Sequence, residues 1–140
     1  PIDPRINRAL KISHSDFVFD LDSGINANVA QGGTNFSGGQ KQRLAIARAV
    51  YKDAKIYIFD DSFSALDYKT DMLVRRDIRE NMKNSLVIIV AQRIGTIRNA
   101  DRILVLDEGR IVGSGRHDEL LKNCDVYRDI ALSQLSEEEL

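Results

Sequence analysis

The sequence predicts an α/β domain that contains a parallel β-sheet. Two short runs, IYIF at residues 56–59 and LVIIVA at residues 86–91, are apolar at every position, which is typical of parallel strands covered on both faces. A segment with helical spacing, residues 67–82, separates them. Strands that alternate with helices are the pattern of an α/β fold, and 140 residues suffice for one modest domain with a core.

The first part of the chain is predicted to hold two helical segments joined by a loop. Residues 4–20 have helical character. Their candidate packing residues are Ile6, Leu10, Phe17 and Phe19. Residues 22–36 are rich in glycine and asparagine, which predicts a loop. A strong helix is predicted over residues 37–51, because leucine, alanine and valine dominate its second half.

The rest of the chain continues the alternation. Val74, Ile78 and Met82 recur every four residues, which predicts one buried face of the helix between the two strands. RILVL, at residues 102–106, is predicted to be a third buried strand, and DEGR then turns the chain into IVGSG, which predicts an antiparallel hairpin. Two helices are predicted to close the chain, around residues 117–123 and 126–135.

The composition limits the classes of protein to which the chain can belong. The net charge is −1, so no bulk attraction to nucleic acid is expected, and no apolar run approaches the ~18 residues of a membrane span. Cys124 is the only cysteine and is expected to be a free thiol in a loop. His14 and His117 have no Cys or His at metal-ligand spacing and are expected at the surface. The chain starts with Pro1, from which we expect a start inside a longer protein, and its acidic end, residues 136–140, is expected to be disordered.

The stretch NFSGGQKQRLAIARAV, residues 35–50, combines a helix start with glycines that a helix start does not need. Ser37 followed three residues later by Gln40 forms a capping box. Gly38 and Gly39 occupy the first turn, although each costs roughly 1 kcal/mol of helix propensity relative to alanine. Glycine lets a ligand approach the N–H groups of a helix N-terminus, and an anion is the ligand that such a terminus favours. We therefore expect a phosphate to bind here.

Asp60 and Asp61 follow the first buried strand directly. In open α/β sheets, ligands bind at the carboxyl ends of the strands, where one carboxylate commonly holds Mg²⁺ and the next can orient an attacking water. The sequence DDS is equally suited to a solvated turn that caps a helix. On these two residues alone, both interpretations stay open.

Together, the motifs resemble those of ATP-binding cassette (ABC) ATPases, and their order along the chain makes the resemblance specific. It extends over nearly the whole chain from about residue 5. VAQGGTNFSGGQ resembles the exporter branch of the family, in which a short glycine-rich loop precedes the signature. The matching motifs are FSGGQ (signature), IYIFDD (Walker B strand), SALD (D-loop), VAQR (switch-histidine loop) and NADRILVLDEGRIV (the strand pair that follows).

The resemblance implies a fold and a division of the chain. The fold would be the C-terminal part of a P-loop NTPase (RecA-like) parallel sheet together with the signature-helix region, with the Walker A strand absent. Residues 1–52 would be the end of the helical subdomain and the signature helix. Residues 53–140 would be the C-terminal part of the catalytic core.

The resemblance also implies a second nucleotide-binding domain as partner. In this family two such domains meet head to tail, and each ATP lies between the Walker A loop of one domain and the signature of the other. Ser37, Gly38 and Gly39, with Gln40 in the same group, would therefore bind the γ-phosphate of an ATP held by the partner.

The remaining motif residues imply a site belonging to this chain. Asp60 would position Mg²⁺, and Ser64 and Asp67 would lie at the interface and couple the two sites. Asp61 stands where the family usually has the catalytic glutamate, and Gln92 where it usually has the switch histidine. These two are the predicted catalytic residues.

Two departures from the family fall on that same site. Aspartate is one methylene shorter than glutamate, and a misplacement of about 1 Å can cost ~10²-fold in rate. Glutamine at position 92 can donate a hydrogen bond but cannot carry a proton near neutral pH. Independent drift at tolerant positions is one explanation. The intact signature favours the other, which is one degenerate half of a heterodimer.

A third departure is the missing Walker A pattern, since no Gly-Lys pair occurs in the chain. We therefore expect the isolated chain to be inactive. We expect it to be the C-terminal part of the nucleotide-binding domain of an exporter subunit, at the cytoplasmic face of the cell membrane. The parent protein would carry its own transmembrane domain and hydrolyse ATP to drive export. Two alternatives stay open: a soluble ABC ATPase that transports nothing, and a truncated, non-enzymatic remnant.

Overall fold

The computed structural model describes residues 3–135, which form two compact units that divide between Val90 and Ala91. Each unit has its own hydrophobic core. The predicted boundary after residue 52 falls inside the first unit; it separates the chain by family resemblance rather than by contacts, and it stays a prediction. The acidic end, residues 136–140, lies outside the described residues.

The first unit begins with α1, Pro4–Ile12, which is shorter than the helix predicted over residues 4–20. The chain turns at His14, whose backbone is left-handed (φ 52°), and continues as a 3-10 helix, Asp16–Asp20. Two buried serines stabilise the turn, with the Oγ atoms of Ser13 and Ser15 2.7 Å apart. A left-handed residue cannot continue a right-handed helix, so the single-helix prediction was wrong.

The rest of this segment follows the predictions more closely. Ile6, Leu10 and Phe17 pack in the first core, whereas Phe19 is 45% exposed, so its predicted burial was wrong. The predicted loop contains only two short 3-10 turns, Gly24–Asn26 and Gln31–Gly33.

The central part of the first unit alternates helix and strand in the predicted order. Helix α2, Gly38–Tyr51, is followed by strand β1, Ile56–Asp60, helix α3, Tyr68–Asn81, and strand β2, Leu86–Val90. β1 and β2 are parallel, with Ile58 opposite Ile88. Val74, Ile78 and Met82 are all buried, which confirms the predicted core face of α3 and its flank.

The sheet formed by β1 and β2 is covered on one face only. Tyr57 and Phe59 are buried, whereas the alternate positions of both strands are exposed, so the prediction of burial on both faces was wrong for the described residues. The helices of this unit pack on one side, which leaves apolar side chains on the other. We call this set the open sheet face: Ile56, Ile58, Leu86, Ile88 and Val90.

The second unit is a hairpin with helices. A short helix, α4 (Ile94–Ile97), precedes the antiparallel strands β3 (Ile103–Asp107) and β4 (Arg110–Gly115), which confirms the predicted hairpin. The full burial predicted for residues 102–106 was wrong, because Leu104 and Leu106 are exposed. Helices α5 (His117–Asn123) and α6 (Asp125–Gln134) close the unit as predicted. No helix among residues 3–135 is both long enough and apolar enough to cross a membrane.

Both histidines differ from the predicted surface residues. His117 is only 6% exposed, and its Nδ1 lies 2.8 Å from the Tyr127 hydroxyl. Burial, with a smaller effect from the charge of Arg98, lowers the pKa of His117. His14 is half-buried, with Nε2 2.8 Å from Oδ2 of Asp77. Cys124 is a free thiol as predicted, but it is buried between α5 and α6.

Candidate functional site

The start of α2 has the geometry that its sequence predicts. The Ser37 amide donates to Oε1 of Gln40 at 2.9 Å, and the Gln40 amide donates back to Oγ of Ser37 at 3.2 Å. This reciprocal pair fixes the first turn and uses one of its donors. The first amides of an α-helix have no acceptor within the helix, so those of Gly38 and Gly39 are available to a ligand.

The two glycines of this turn face the loop that follows β1. A Cβ atom on Gly39 would lie 3.1 Å from the carbonyl oxygen of Ala65, which is closer than ordinary contact. A Cβ atom on Gly38 would meet the Ala65 Cβ at 3.5 Å, an ordinary van der Waals distance. The close approach of α2 to the loop therefore explains the second glycine better than the first.

That loop begins with the two adjacent aspartates. Asp60 is the last residue of β1 and is exposed. Asp61 has a left-handed backbone (φ 48°) and donates its amide to the Val90 carbonyl at 3.0 Å. Oγ of Ser64 lies 3.0 Å from Oδ2 of Asp61 and donates to it. The Asp61 side chain is thus held by its own loop, beyond the end of a parallel strand.

Asp67 has a structural task that its sequence context also allows. Oδ1 accepts the Thr70 amide at 3.0 Å and Oδ2 accepts the Thr70 hydroxyl at 2.7 Å, so Asp67 caps the N-terminus of α3. These hydrogen bonds, that of the hydroxyl first, lower the pKa of Asp67. The side chain is therefore ionised and fixed at the solvent boundary.

An open cavity of about 420 Å³ joins these features. The signature residues line one side and the end of the SALD loop lines the other. Arg43 also borders it, but its guanidinium lies over the Phe17 ring, 4.8 Å from the centroid, and donates to the His14 carbonyl. The cavity is lined by Ser37, Gly38, Gly39, Arg43, Ala65, Leu66, Asp67 and Thr70.

The sequence interpretation missed Gln42. Its Nε2 donates to the Asp61 carbonyl at 3.1 Å and to Oγ of Ser64 at 3.0 Å, while its Oε1 accepts the Ala65 amide at 2.8 Å. Helical periodicity contains a signal for it, since residues three and four apart share a face. Gln42 stands four residues after Gly38 and therefore on the side of α2 that meets the loop.

Gln92 belongs to the second unit and is exposed. The Gln134 side chain holds the backbone beside it: Nε2 donates to the Gln92 carbonyl at 2.8 Å, and Oε1 accepts the Ile94 amide at 2.9 Å. The first unit brings the signature and the SALD loop together, whereas the pairing predicted for Gln92 and Asp61 stays a prediction.

Asp60 fits a magnesium ion only as one ligand among several. Its carboxylate is exposed at the strand end and makes no hydrogen bond or ion pair within residues 3–135. That region contains no group of three or more His, Cys, Asp or Glu side chains that could hold a metal ion. Magnesium commonly keeps several waters and binds through one or two carboxylates together with substrate phosphates, and the Asp60 position suits that arrangement.

Comparison with known proteins gives a consistent family. The family model described as ABC transporter matches residues 10–64. An uncharacterized ABC transporter ATP-binding protein of Mycobacterium tuberculosis is 48% identical over 126 residues, which cover 90% of this chain and 22% of the relative. An ATP-dependent lipid A-core flippase of Ralstonia nicotianae is 45% identical over 124 residues, covering 88% of this chain and 21% of the relative.

A solved structure agrees in fold. The structure of a bacterial Atm1-family ABC exporter with ATP bound superposes with a TM-score of 0.90 at 36% identity, covering 96% of this chain and 24% of that chain. The chain spans about a fifth of the length of the curated relatives named above.

Proposed function

The chain belongs to the ABC transporter family as a C-terminal portion of an exporter-type nucleotide-binding domain with the P-loop NTPase fold, and from this premise we propose that it serves ATP-driven export across a membrane. The observation that carries the proposal is the cavity between the signature turn and the SALD loop. It is bordered by the free amides of the first turn of α2, by the capping box of Ser37 and Gln40, and by the ionised carboxylate of Asp67.

Within that export cycle, the signature turn serves an ATP held by a second nucleotide-binding domain. The capping box fixes the first turn of α2, so the amides of Gly38 and Gly39 and the Ser37 hydroxyl lie together at the helix N-terminus. A helix N-terminus with free amides favours negative charge, so these groups bind the γ-phosphate and stabilise the charge that develops on it. Gln40 takes part indirectly by fixing Ser37.

The second site is built on this chain's own carboxylates. Asp60, the exposed last residue of β1, would hold Mg²⁺, and Asp61 would orient the attacking water. Mg²⁺ supplies charge neutralisation on the phosphates when it is bound. Gln92 takes the position of the switch residue and donates a hydrogen bond without carrying a proton. Because Asp61 is short and Gln92 cannot become charged, this site turns ATP over slowly, and the chain is the degenerate half of a heterodimer.

The partners follow from this assignment. Ser64 and Asp67 lie where the second nucleotide-binding domain approaches, and the parent protein carries the transmembrane domain, with this domain at the cytoplasmic face of the membrane. The open sheet face supports a longer parent domain, because five exposed apolar side chains on two neighbouring strands need cover. By itself, a chain without a Gly-Lys pair has no lysine cradle for the β- and γ-phosphates and hydrolyses no ATP.

The test compares two variants of the full-length heterodimer by steady-state ATPase activity. Gly39→Asp places a charge against the phosphate and the Ala65 carbonyl, and losing one such phosphate donor typically costs ~10²-fold or more. We expect it to abolish most activity, whereas Asp61→Asn in the same chain reduces it far less. Asn84→Asp, which adds the same charge at an exposed turn of the first unit, serves as the control and stays at wild-type activity.

Three results would reject this assignment. Equal losses from Gly39→Asp and Asp61→Asn would mean that the two sites are symmetric. A larger loss from Asp61→Asn would place the working site on this chain. Wild-type activity in Gly39→Asp would remove the role of the signature turn altogether.

A further inference from the structure

Gln42 connects the signature helix to the loop that carries Asp61 through three hydrogen bonds. Its Nε2 reaches the Asp61 carbonyl at 3.1 Å and Oγ of Ser64 at 3.0 Å, and its Oε1 accepts the Ala65 amide at 2.8 Å. One side-chain amide therefore uses both its donor group and its acceptor on a single loop, 19 to 23 residues away in sequence.

The group that Gln42 holds is the backbone of the predicted catalytic carboxylate. Asp61 has a left-handed backbone (φ 48°), a conformation that persists in a non-glycine residue only where its surroundings hold it. Its amide is bound by the Val90 carbonyl at 3.0 Å, and its carbonyl is bound by Gln42. Ser64, the second acceptor of Gln42, also donates to Oδ2 of Asp61 at 3.0 Å. Gln42 thus contacts both the backbone of Asp61 and the residue that orients its carboxylate.

At its other end, Gln42 is anchored one turn behind the phosphate-facing glycines. Gly38 and Gln42 share a face of α2 by helical periodicity. A shift of the first turn of α2 therefore moves Gln42 with it, and the three hydrogen bonds transmit the movement to the loop. The packing of Gly39 against the loop is also close, since an added Cβ atom would lie 3.1 Å from the Ala65 carbonyl oxygen, and this supports the same path.

We propose that Gln42 is a positioning residue that couples the two ATP sites, by linking the signature turn that serves the partner's ATP to the Asp61 loop of this chain's own site. This inference rests on the proposed function. Gln42 does not line the cavity beside the signature turn, so we expect its removal to leave ATP binding intact and to impair hydrolysis.

Two substitutions separate the hydrogen bonds of Gln42. Gln42→Met keeps the length of the side chain and removes all three bonds. Gln42→Glu keeps the acceptor for the Ala65 amide, but a carboxylate cannot donate to the Asp61 carbonyl. Arg48→Met is the matched control, because the Arg48 side chain is exposed on the same helix and forms no hydrogen bond or ion pair in the described part of the chain.

The experiment measures ATPase activity against ATP concentration in the full-length heterodimer. Without Gln42, the Asp61 loop no longer braces the signature turn that serves the partner's ATP, and a misplacement of about 1 Å there can cost ~10²-fold in rate. We therefore expect kcat of Gln42→Met to fall about tenfold or more, with KM for ATP changed less than twofold. We expect kcat of Gln42→Glu to fall as well, at an unchanged melting temperature, which excludes a merely structural role. Ser64→Ala combined with Gln42→Met costs less than the sum of the two single losses, since the two side chains share one hydrogen bond of the link between α2 and the loop.

The inference is overturned by a kcat of Gln42→Met within twofold of wild type, or by a rise in KM that accounts for the whole loss. If Gln42→Met does not assemble, Gln42→Glu decides by the same two criteria. Gly39→Asp runs alongside. Wild-type activity there rejects the proposed function, whereas a lost activity in Gly39→Asp with an unchanged Gln42→Met rejects only the coupling.

Discussion

Replacing each signature glycine by alanine tests the close packing of α2 on the SALD loop. Gly→Ala in a helix gains up to about 1 kcal/mol in propensity. At Gly38 the new Cβ meets the Ala65 Cβ at an ordinary 3.5 Å, so the gain is kept. At Gly39 the new Cβ lies 3.1 Å from the Ala65 carbonyl oxygen, and overpacking typically costs about 1–3 kcal/mol.

The two effects at Gly39 oppose each other. Subtracting the propensity gain from the overpacking cost leaves Gly39→Ala between neutral and about 2 kcal/mol less stable. Ala65 cannot simply retreat, because its amide donates to Gln42 at 2.8 Å. Gly38→Ala and Gly39→Ala should therefore differ by about 1–3 kcal/mol in the free energy of unfolding, although they are adjacent and chemically identical changes.

Urea denaturation followed by far-UV circular dichroism measures the difference. With an m-value of about 1–3 kcal/mol/M, the unfolding midpoint of Gly39→Ala should lie roughly 1 M urea below that of Gly38→Ala. Unsubstituted protein should lie at or slightly below Gly38→Ala. If Gly39→Ala unfolds at the same urea concentration as Gly38→Ala or higher, the loop yields freely and the packing argument is wrong.

Three further predictions concern other parts of the chain. Burial lowers the pKa of His117, so the unfolded chain takes up a proton at this residue at a higher pH than the folded chain does. Stability should therefore fall as the pH drops below about 6.5. In denaturation series from pH 7.5 to 5, His117→Gln should flatten this pH dependence, and an unchanged slope contradicts the assignment. In Gly113→Ala the new Cβ would lie 2.8 Å from Sγ of Cys124 and should destabilise by about 1–3 kcal/mol, while Gly95→Ala, in open space, should not; equal melting temperatures would refute this. The open sheet face should make the isolated chain self-associate, and Ile58→Lys with Ile88→Lys should reduce its sedimentation coefficient. An unsubstituted chain that is monomeric at all concentrations contradicts this prediction.

Local signals were predicted well from the sequence. The capping box of Ser37 and Gln40 depends on a three-residue spacing, and the structure has both of its hydrogen bonds. The buried face of α3 depends on a four-residue period, which Val74 and Ile78 confirm. In both cases the partners lie within one helical turn, where residue type alone decides the contact.

Features that depend on distant parts of the chain could not be predicted. Gln42 finds its partners in a loop 19 to 23 residues away, a pairing that only the packed helix and strand determine. The turn at His14 is flanked by a buried serine pair whose hydroxyls contact each other, and the helical spacing of residues 4–20 does not indicate it. For Ile58, the apolar run correctly indicated a strand, but its 66% exposure depends on which elements cover the sheet, and residue type carries no information on that.

Gln134 gives the last turn of α6 an influence on a residue 42 positions earlier. Its side chain bridges the Gln92 carbonyl and the Ile94 amide, so it holds the backbone at the start of α4 in place. Any shortening of the protein that removes residue 134 would remove these two hydrogen bonds while leaving the VAQR motif itself unchanged in sequence. Choosing a C-terminal end point for expression by motif alone would therefore alter the backbone at Gln92, and activities compared between proteins of different length would reflect the end point as well as the substitution.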